Sequence, residues 1–416
     1  MKFTNLLLIL LMTTGTAHAQ KYVGGDISCL PLNESKNAWY LDFNGNRCPA
    51  LELFQQQRLN TMRVRLFVNP ADYKGSDKDP NACQDIEYVK SLGKRIKDAG
   101  FKLMLDFHYS DTWADPEKQW TPKAWENLSD NDLYTKIYDY TKDALAQMKE
   151  AGAEPDFIQT GNEISYGMLW GKASSLSLKK CYLGNDANWS RFTTLLKQAG
   201  KACREECPEA KIILHTERAT ETNVLTNFYD KMKNAGVDYD IIGLSYYPAW
   251  HKDIPTLEKA INTLESRYAD KKIMIVEVGY AYSWALENAV YDYKWKYPIT
   301  EDGQKAFTDD LITMLNKHES VNGLFWWWME YNAYPYATTH MEGWWYAPLY
   351  DSKTGKPLLA MQSLKNFIVD SGIDNILSVP SSGIDTWYDI NGLPVGPAPT
   401  RPGIYIRHGK KMIISR

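Results

Sequence analysis

Two glutamates each close a short apolar run. Pro155-Asp156-Phe157-Ile158-Gln159-Thr160-Gly161-Asn162-Glu163 reads as a buried strand that delivers Asn-Glu to its C-terminal tip, and Lys272-Ile273-Met274-Ile275-Val276-Glu277 reads the same way. A pair of carboxyls held at a fixed separation can do acid/base and nucleophilic work. In glycoside hydrolysis one carboxyl stays protonated to assist the leaving oxygen while the other attacks or activates water. Glutamate after an apolar strand also serves as a surface residue or an ion-pair partner, so neither residue decides the matter alone.

The two tips converge only if both strands belong to one parallel barrel, whose active sites sit at the C-terminal mouth. Eight strand-like runs can be marked: Tyr22 to Ile27, Thr61 to Val68, Lys102 to Phe107, Asp156 to Gln159, Lys211 to His215, Ile241 to Tyr246, Lys272 to Glu277 and Gly323 to Trp328. Helical patterns lie between most of them, over Ile86 to Gly100, Asp132 to Gly152, Trp189 to Cys203, Thr256 to Tyr268, Gly303 to His318 and Leu359 to Val369. This alternation predicts an α/β fold, a (β/α)8 TIM barrel, over residues 20–370. An open doubly wound sheet is the competitor, and it lacks a glycine-rich phosphate loop here. Ser371 to Pro380 reads as a linker. Beyond it Thr386 to Ile390, Gly403 to Arg407 and Lys411 to Ile414 read as the strands of a short C-terminal β appendage, within residues 371–416.

The first 19 residues combine a charged start, an apolar core from Leu6 to Met12 and the small-x-small site Ala17-His18-Ala19, which predicts a secretory signal peptide. No later stretch approaches the roughly 20 apolar residues of a membrane helix. The expected localisation is secreted: extracellular, cell surface or periplasmic. Six cysteines permit disulfides, but their pairing stays open. Cys203 and Cys207 lack the companions of a zinc site, so a structural role is expected. A formal charge of -4 offers no basic field for nucleic acid.

Aromatic residues are abundant, with 15 Trp and 27 Tyr, and many cluster beside the strand ends: Trp113, Trp120, Trp125, Trp170, Tyr246-Tyr247, Trp250, Tyr280, Tyr282, Trp284, Trp326-Trp327-Trp328 and Trp344-Trp345. Flat rings stack on the apolar faces of sugars, so a carbohydrate cleft is expected, with core filling as the alternative for each ring.

Through Asp106-Phe107-His108-Tyr109-Ser110-Asp111-Thr112-Trp113-Ala114-Asp115-Pro116 and Gly161-Asn162-Glu163-Ile164 the chain resembles glycoside hydrolase family 53, the arabinogalactan endo-β-1,4-galactanases. Arg63-Val64-Arg65-Leu66-Phe67-Val68-Asn69-Pro70, Ser245-Tyr246-Tyr247-Pro248, Glu277 and Tyr297-Pro298-Ile299-Thr300 extend the resemblance over about Tyr22 to Phe367. It implies a retaining double displacement, with Glu163 as acid/base and Glu277 as nucleophile. It also implies that Asn162 binds the sugar 2-hydroxyl, that Arg63 and Arg65 orient the nucleophile, and that His108, His215 and Tyr247 line the subsite of cleavage. Asp111, Trp113 and Trp170 match binding positions of the family, with Trp327 as the floor on the last strand. The implied partner is β-1,4-galactan.

Two departures stand out. The last strand carries Trp326-Trp327-Trp328-Met329 where the family commonly has Tyr-Trp-Glu-Pro. Many bacterial relatives carry a calcium loop after the seventh strand, whereas Ala281-Tyr282-Ser283-Trp284-Ala285-Leu286-Glu287-Asn288 lacks the oxygen ligands, so no cofactor or metal is expected. Asp77, Asp79 and Asn81 alternate like the start of a calcium loop without its glycine and closing glutamate, and are expected to be a solvated loop. Another retaining endoglycosidase, a mannanase or xylanase, and a glycan-binding barrel without turnover remain the alternative readings.

Overall fold

The computed structural model describes residues 20–76, 78–173, 179–181, 186–286, 288–336, 347–368, 387–389, 394–396, 399, 402–407 and 410–414. The predicted signal peptide, the 371–380 linker, Asp77, Glu287 and Trp344-Trp345 lie outside the described residues.

Each predicted apolar run becomes a strand: β1 (Tyr22–Asp26), β2 (Thr61–Leu66), β3 (Lys102–Phe107), β4 (Phe157–Gln159), β5 (Lys211–Thr216), β6 (Ile241–Tyr246), β7 (Lys272–Val278) and β8 (Val321–Trp326). All neighbours pair in parallel and β8 closes on β1, giving the (β/α)8 barrel. Alternation along the strands divides each run between two environments. Met104, Phe157, Ile213, Ile241, Met274, Val276 and Phe325 form one buried cluster, while Val64, Leu105, Ile158, Leu214, Leu244, Ile275 and Leu324 join the larger core beneath the helices.

Two or four residues further along the inner face the side chains turn polar, to Asp106, Gln159, His215 and Ser245, all fully buried. This polar layer underlies the mouth. Gly243 lies on the same face of β6, where a Cβ would come within 2.7 Å of the Ile213 side chain. Strict alternation after Val276 would turn Glu277 toward the helices. The register against β6 shifts at that point, Leu244 pairing with Ile275 but Ser245 with Glu277, and the extra residue on β7 re-aims Glu277 into the mouth.

The outer layer comprises Ile86–Asp98, Asp130–Glu150, Asp186–Glu206, Thr222–Ala235, Ile254–Arg267, Glu301–Leu315 and Leu359–Leu364. Asp85, Ser129, Asp253 and Thr300 cap four of these helices, each side chain accepting from the N–H three residues on. Thr222–Ala235 and the short helices Leu30–Ser35 and Ala50–Gln56 were not predicted from the sequence. The eighth strand was predicted two residues late. It ends at Trp326, and Trp328 lies in the left-handed region at φ 50°, where no strand continues.

The appendage is a four-stranded sheet in the order β10-β9-β11-β12, from β9 (Trp387–Tyr388), β10 (Pro394–Gly396), β11 (Gly403–Arg407) and β12 (Lys410–Ile414). The fourth strand, β10, falls in what reads as a proline-rich loop. Among the described residues no helix is long and apolar enough to cross a membrane.

Candidate active site

Glu163 follows β4 in a left-handed turn at φ 48°, ψ 53°, reached through Gly161 at φ 114°. That conformation costs a non-glycine residue about 1 kcal/mol or more, a strain of the kind that clusters at functional sites. Glu277 lies almost wholly buried on the opposite wall, 4 % exposed. Both line one cleft of about 670 Å³ at the C-terminal mouth, together with Trp113, Asn162, Tyr247, Trp250, Trp327 and Trp328.

The partners of the two carboxyls differ. Glu277 Oε1 lies 3.0 Å from Arg63 Nη2, and Tyr247 donates its hydroxyl to Glu277 Oε2 at 2.8 Å. Among the described residues Glu163 Oε1 meets only the Ser245 hydroxyl, at 2.7 Å, and no cation pairs with it. Burial, then the charge of Glu277, holds Glu163 well above the usual carboxylate range. Burial also raises Glu277, to about 7, but Arg63 and the Tyr247 hydroxyl pull against it. These partners favour the proton on Glu163 and the charge on Glu277.

Arg63 is the hub behind this asymmetry. Its Nε donates to Gln159 Oε1 at 2.6 Å, Nη1 to Asp26 Oδ2 at 3.1 Å, and Nη2 to Asp106 Oδ2 at 2.8 Å and Asn162 Oδ1 at 2.9 Å. Burial alone would raise Asp106, but Arg63 and His108 draw it down to about 2. A buried guanidinium with this many acceptors stays charged and fixed in plane.

The predicted residues divide between the cleft wall and the layer behind it. Asn162, Trp113, Tyr247 and Trp327 line the cleft with the glutamates. Arg65 does not share the Glu277 contact of Arg63. It pairs with Asp26 at 3.6 Å and lies under the rings of Trp113, Trp327 and Trp328, at 4.5, 4.9 and 5.5 Å, because β2 has already carried it past the carboxyl.

His108 and His215 are supports, not lining. His108 Nδ1 accepts from the Ala114 N–H at 3.0 Å and Nε2 faces Asp106 at 3.1 Å, whereas His215 bridges Asn162 and Ser245. Asp111 spends its carboxylate on backbone, accepting from Asn69 at 3.0 Å and Lys123 at 2.7 Å. Trp170 is completely buried and donates to the Tyr166 carbonyl at 3.0 Å, so it packs the loop wall.

Sequence reasoning missed Gln159, Asp26, Ser245, Asp79 and Glu217. Asp79 belongs to no mere solvated loop: its Oδ2 accepts from Trp113 Nε1 at 2.9 Å and fixes that ring beside the cleft. Glu217, at the β5 end, is buried on the cleft wall against Arg218 at 3.0 Å. Ser245 stood within the Ser-Tyr-Tyr-Pro motif and Asp79 within the Asp77, Asp79, Asn81 alternation, and the others had no separate signal. Of the remaining aromatics, Trp250 and Trp328 line the cleft, Trp125 and Trp326 are buried in the core, and Trp284 is 55 % exposed.

The family model for glycosyl hydrolase family 53 matches residues 22–364. An arabinogalactan endo-beta-1,4-galactanase of Cellvibrio japonicus is 35 % identical over 341 residues, covering 78 % of this chain and 84 % of the relative. Among solved structures, the family 53 catalytic domain of Ignisphaera aggregans superposes with a TM-score of 0.72 at 32 % identity, covering 84 % of this chain and 97 % of that one. A fungal β-1,4-galactanase gives 0.70 at 26 % identity, with 83 % and 99 % covered. With nearly the whole barrel inside the match, and the two glutamates brought to one mouth, this chain belongs to glycosyl hydrolase family 53.

Proposed function

We propose that the chain is an exported, endo-acting β-1,4-galactanase that works by retaining double displacement, with Glu277 as nucleophile and Glu163 as acid/base. The observation that carries the assignment of roles is the asymmetry of partners: a guanidinium and a phenol on Glu277, a single hydroxyl on Glu163. In the first step Glu277 bonds to the anomeric carbon while Glu163 gives its proton to the departing glycosidic oxygen. In the second, Glu163 takes a proton from water, whose oxygen displaces Glu277 with the original anomeric configuration restored.

Asn162 lies beside the acid and spends one Nδ2 hydrogen on the Ala114 carbonyl at 2.8 Å, which leaves the second to donate to the sugar 2-hydroxyl. Galactan as substrate rests on the names of the relatives, and the predicted signal peptide supports export. Incubation with galactan, mannan, xylan and glucan, with sizing of the products, tests the reading. Internal cleavage of galactan is expected, and preference for mannan or xylan would replace it. A binding barrel without turnover is disfavoured by the presence of both carboxyls and their pairing network.

Grip on the chain resides in the rings. Trp113 meets Trp327 edge-on at 6.1 Å and is held by Asp79, so it offers a preorganised face. On a Glu277→Gln background, Trp113→Ala is expected to weaken binding of galacto-oligosaccharides by about 1 to 3 kcal/mol, the worth of a buried aromatic contact, with native circular dichroism. Calorimetry reads this, and unchanged affinity would make Trp113 a packing residue.

Transfer between two carboxylates needs no metal. The segment after β7 carries Ala281, Trp284, Ala285 and Leu286, side chains that offer calcium no oxygen. Activity is expected to stay within about twofold of its starting value after chelation, and loss restored by calcium would contradict this.

A further inference from the structure

A chain of hydrogen bonds runs from Glu163 away from the cleft. Ser245 Oγ lies 2.7 Å from Glu163 Oε1 and 2.8 Å from His215 Nε2, and His215 Nδ1 lies 3.0 Å from Asn162 Oδ1. The end of the chain is anchored. Asn162 cannot turn its amide over, because Nδ2 donates to the Ala114 carbonyl and Oδ1 accepts from Arg63.

Asn162 Oδ1 is thus an acceptor, and His215 Nδ1 must carry the proton that faces it. A neutral imidazole has one proton, so Nε2 is left as an acceptor. His215 is neutral, since burial and then the charge of Arg63 hold it well below the usual imidazole range. Its Nε2 accepts a hydrogen bond from the Ser245 hydroxyl at 2.8 Å. Ser245 has no second proton, so toward Glu163 it can only accept, and the hydrogen of that contact must come from a protonated Glu163.

We propose that Ser245 is a positioning residue that keeps the proton on Glu163, with His215 fixing the direction of the serine hydroxyl. This rests on the acid role of Glu163. If Glu163 ionises, its carboxylate and His215 Nε2 compete for one hydroxyl proton. The other tautomer would relieve the competition, because Nε2 would then donate to Ser245 and free its hydroxyl proton for Glu163, and Nδ1 would accept from the Glu163 N–H at 3.4 Å, but it sets two lone pairs face to face across the 3.0 Å to Asn162 Oδ1.

The other groups around Glu163 do not replace this partner. Glu277 faces it from β7, Glu217 from the β5 end with Arg218 engaged at 3.0 Å, and Asp115 from the loop after β3. Tyr247 is committed to Glu277, Arg63 to its own acceptors, His108 and Asp106 to each other, and burial brings His251 down to about 4.

The test is the pH dependence of kcat/KM for Ser245→Ala and Ser245→Thr on galactan. Loss of the acceptor destabilises neutral Glu163, so the alkaline limb of Ser245→Ala is expected to move to lower pH by about 0.5 to 1 unit, one hydrogen bond's worth, and Ser245→Thr to restore it. A hydroxyl that merely donated to the carboxylate would give the opposite sign. An unmoved or upward-shifted limb overturns the proposal. Nitrogen-15 spectra of wild-type protein labelled at histidine provide a second reading that needs neither turnover nor a folded variant. His215 protonated at Nδ1 is expected, and protonation at Nε2 overturns the proposal while leaving the roles of the glutamates intact.

Discussion

Glu277→Gln is expected to leave a folded barrel that does not turn galactan over. The amide is nearly isosteric but cannot form the glycosyl-enzyme ester, so kcat should fall by about 10⁴-fold or more, equivalent to about 5.5 kcal/mol of barrier. Folding should survive because Arg63 keeps Asp26 at 3.1 Å and Asp106 at 2.8 Å as counter-charges when the Glu277 contact at 3.0 Å is neutralised. Added azide is not expected to restore product of retained configuration. Product assays with circular dichroism check both halves, and near-normal turnover would remove Glu277 from the chemistry.

Glu163→Ala should act selectively. Loss of a general acid costs roughly 10²- to 10⁴-fold where the leaving group needs its proton, as in galactan, and much less where an aryl leaving group departs unaided. The pH profile carries the same signature. With the proposed roles, activity requires Glu163 protonated and Glu277 ionised. Burial and the neighbouring charge raise Glu163 well above its ordinary range, so the wild-type rate is expected to fall on the alkaline side as that proton is lost. Burial raises Glu277 to about 7, so the acidic limb belongs to protonation of the nucleophile. Glu163→Ala should therefore lose the alkaline limb on aryl substrates and keep the acidic one. Equal losses on both substrate classes would reject the acid/base role.

The barrel was legible because each strand is an apolar run with few polar interruptions, and because most intervening helices carry caps and an apolar face. Thr222–Ala235 escaped because it opens without a side-chain cap and begins Thr-Asn, residues that favour turns, although Gly236 closes it in the left-handed conformation. The glutamates were legible as strand-end polar residues. Their proposed division of labour came from the family resemblance and not from the two runs themselves, since its physical basis is which carboxyl the Arg63 fork reaches across the barrel.

Residue type likewise could not separate wall from support. His215, Trp170 and Asp111 have the chemistry of ligand-binding groups, yet strand register and loop closure commit them to Ser245, to the Tyr166 carbonyl and to backbone N–H groups. The irregular register that turns Glu277 inward also has no mark in Ile275-Val276-Glu277, because a bulge is set by pairing with the neighbouring strand.

The assignment of Glu277 as nucleophile is tested most directly by trapping. Wild-type protein is incubated with an activated 2-deoxy-2-fluoro-galactobioside, which slows both steps but lets the first occur, and the digested adduct is located by mass spectrometry. The expected result is one glycosyl unit esterified to the peptide at Glu277 and no adduct with Glu277→Gln. An adduct on Glu163 or another residue, or turnover with inverted anomeric configuration and no adduct, would contradict it.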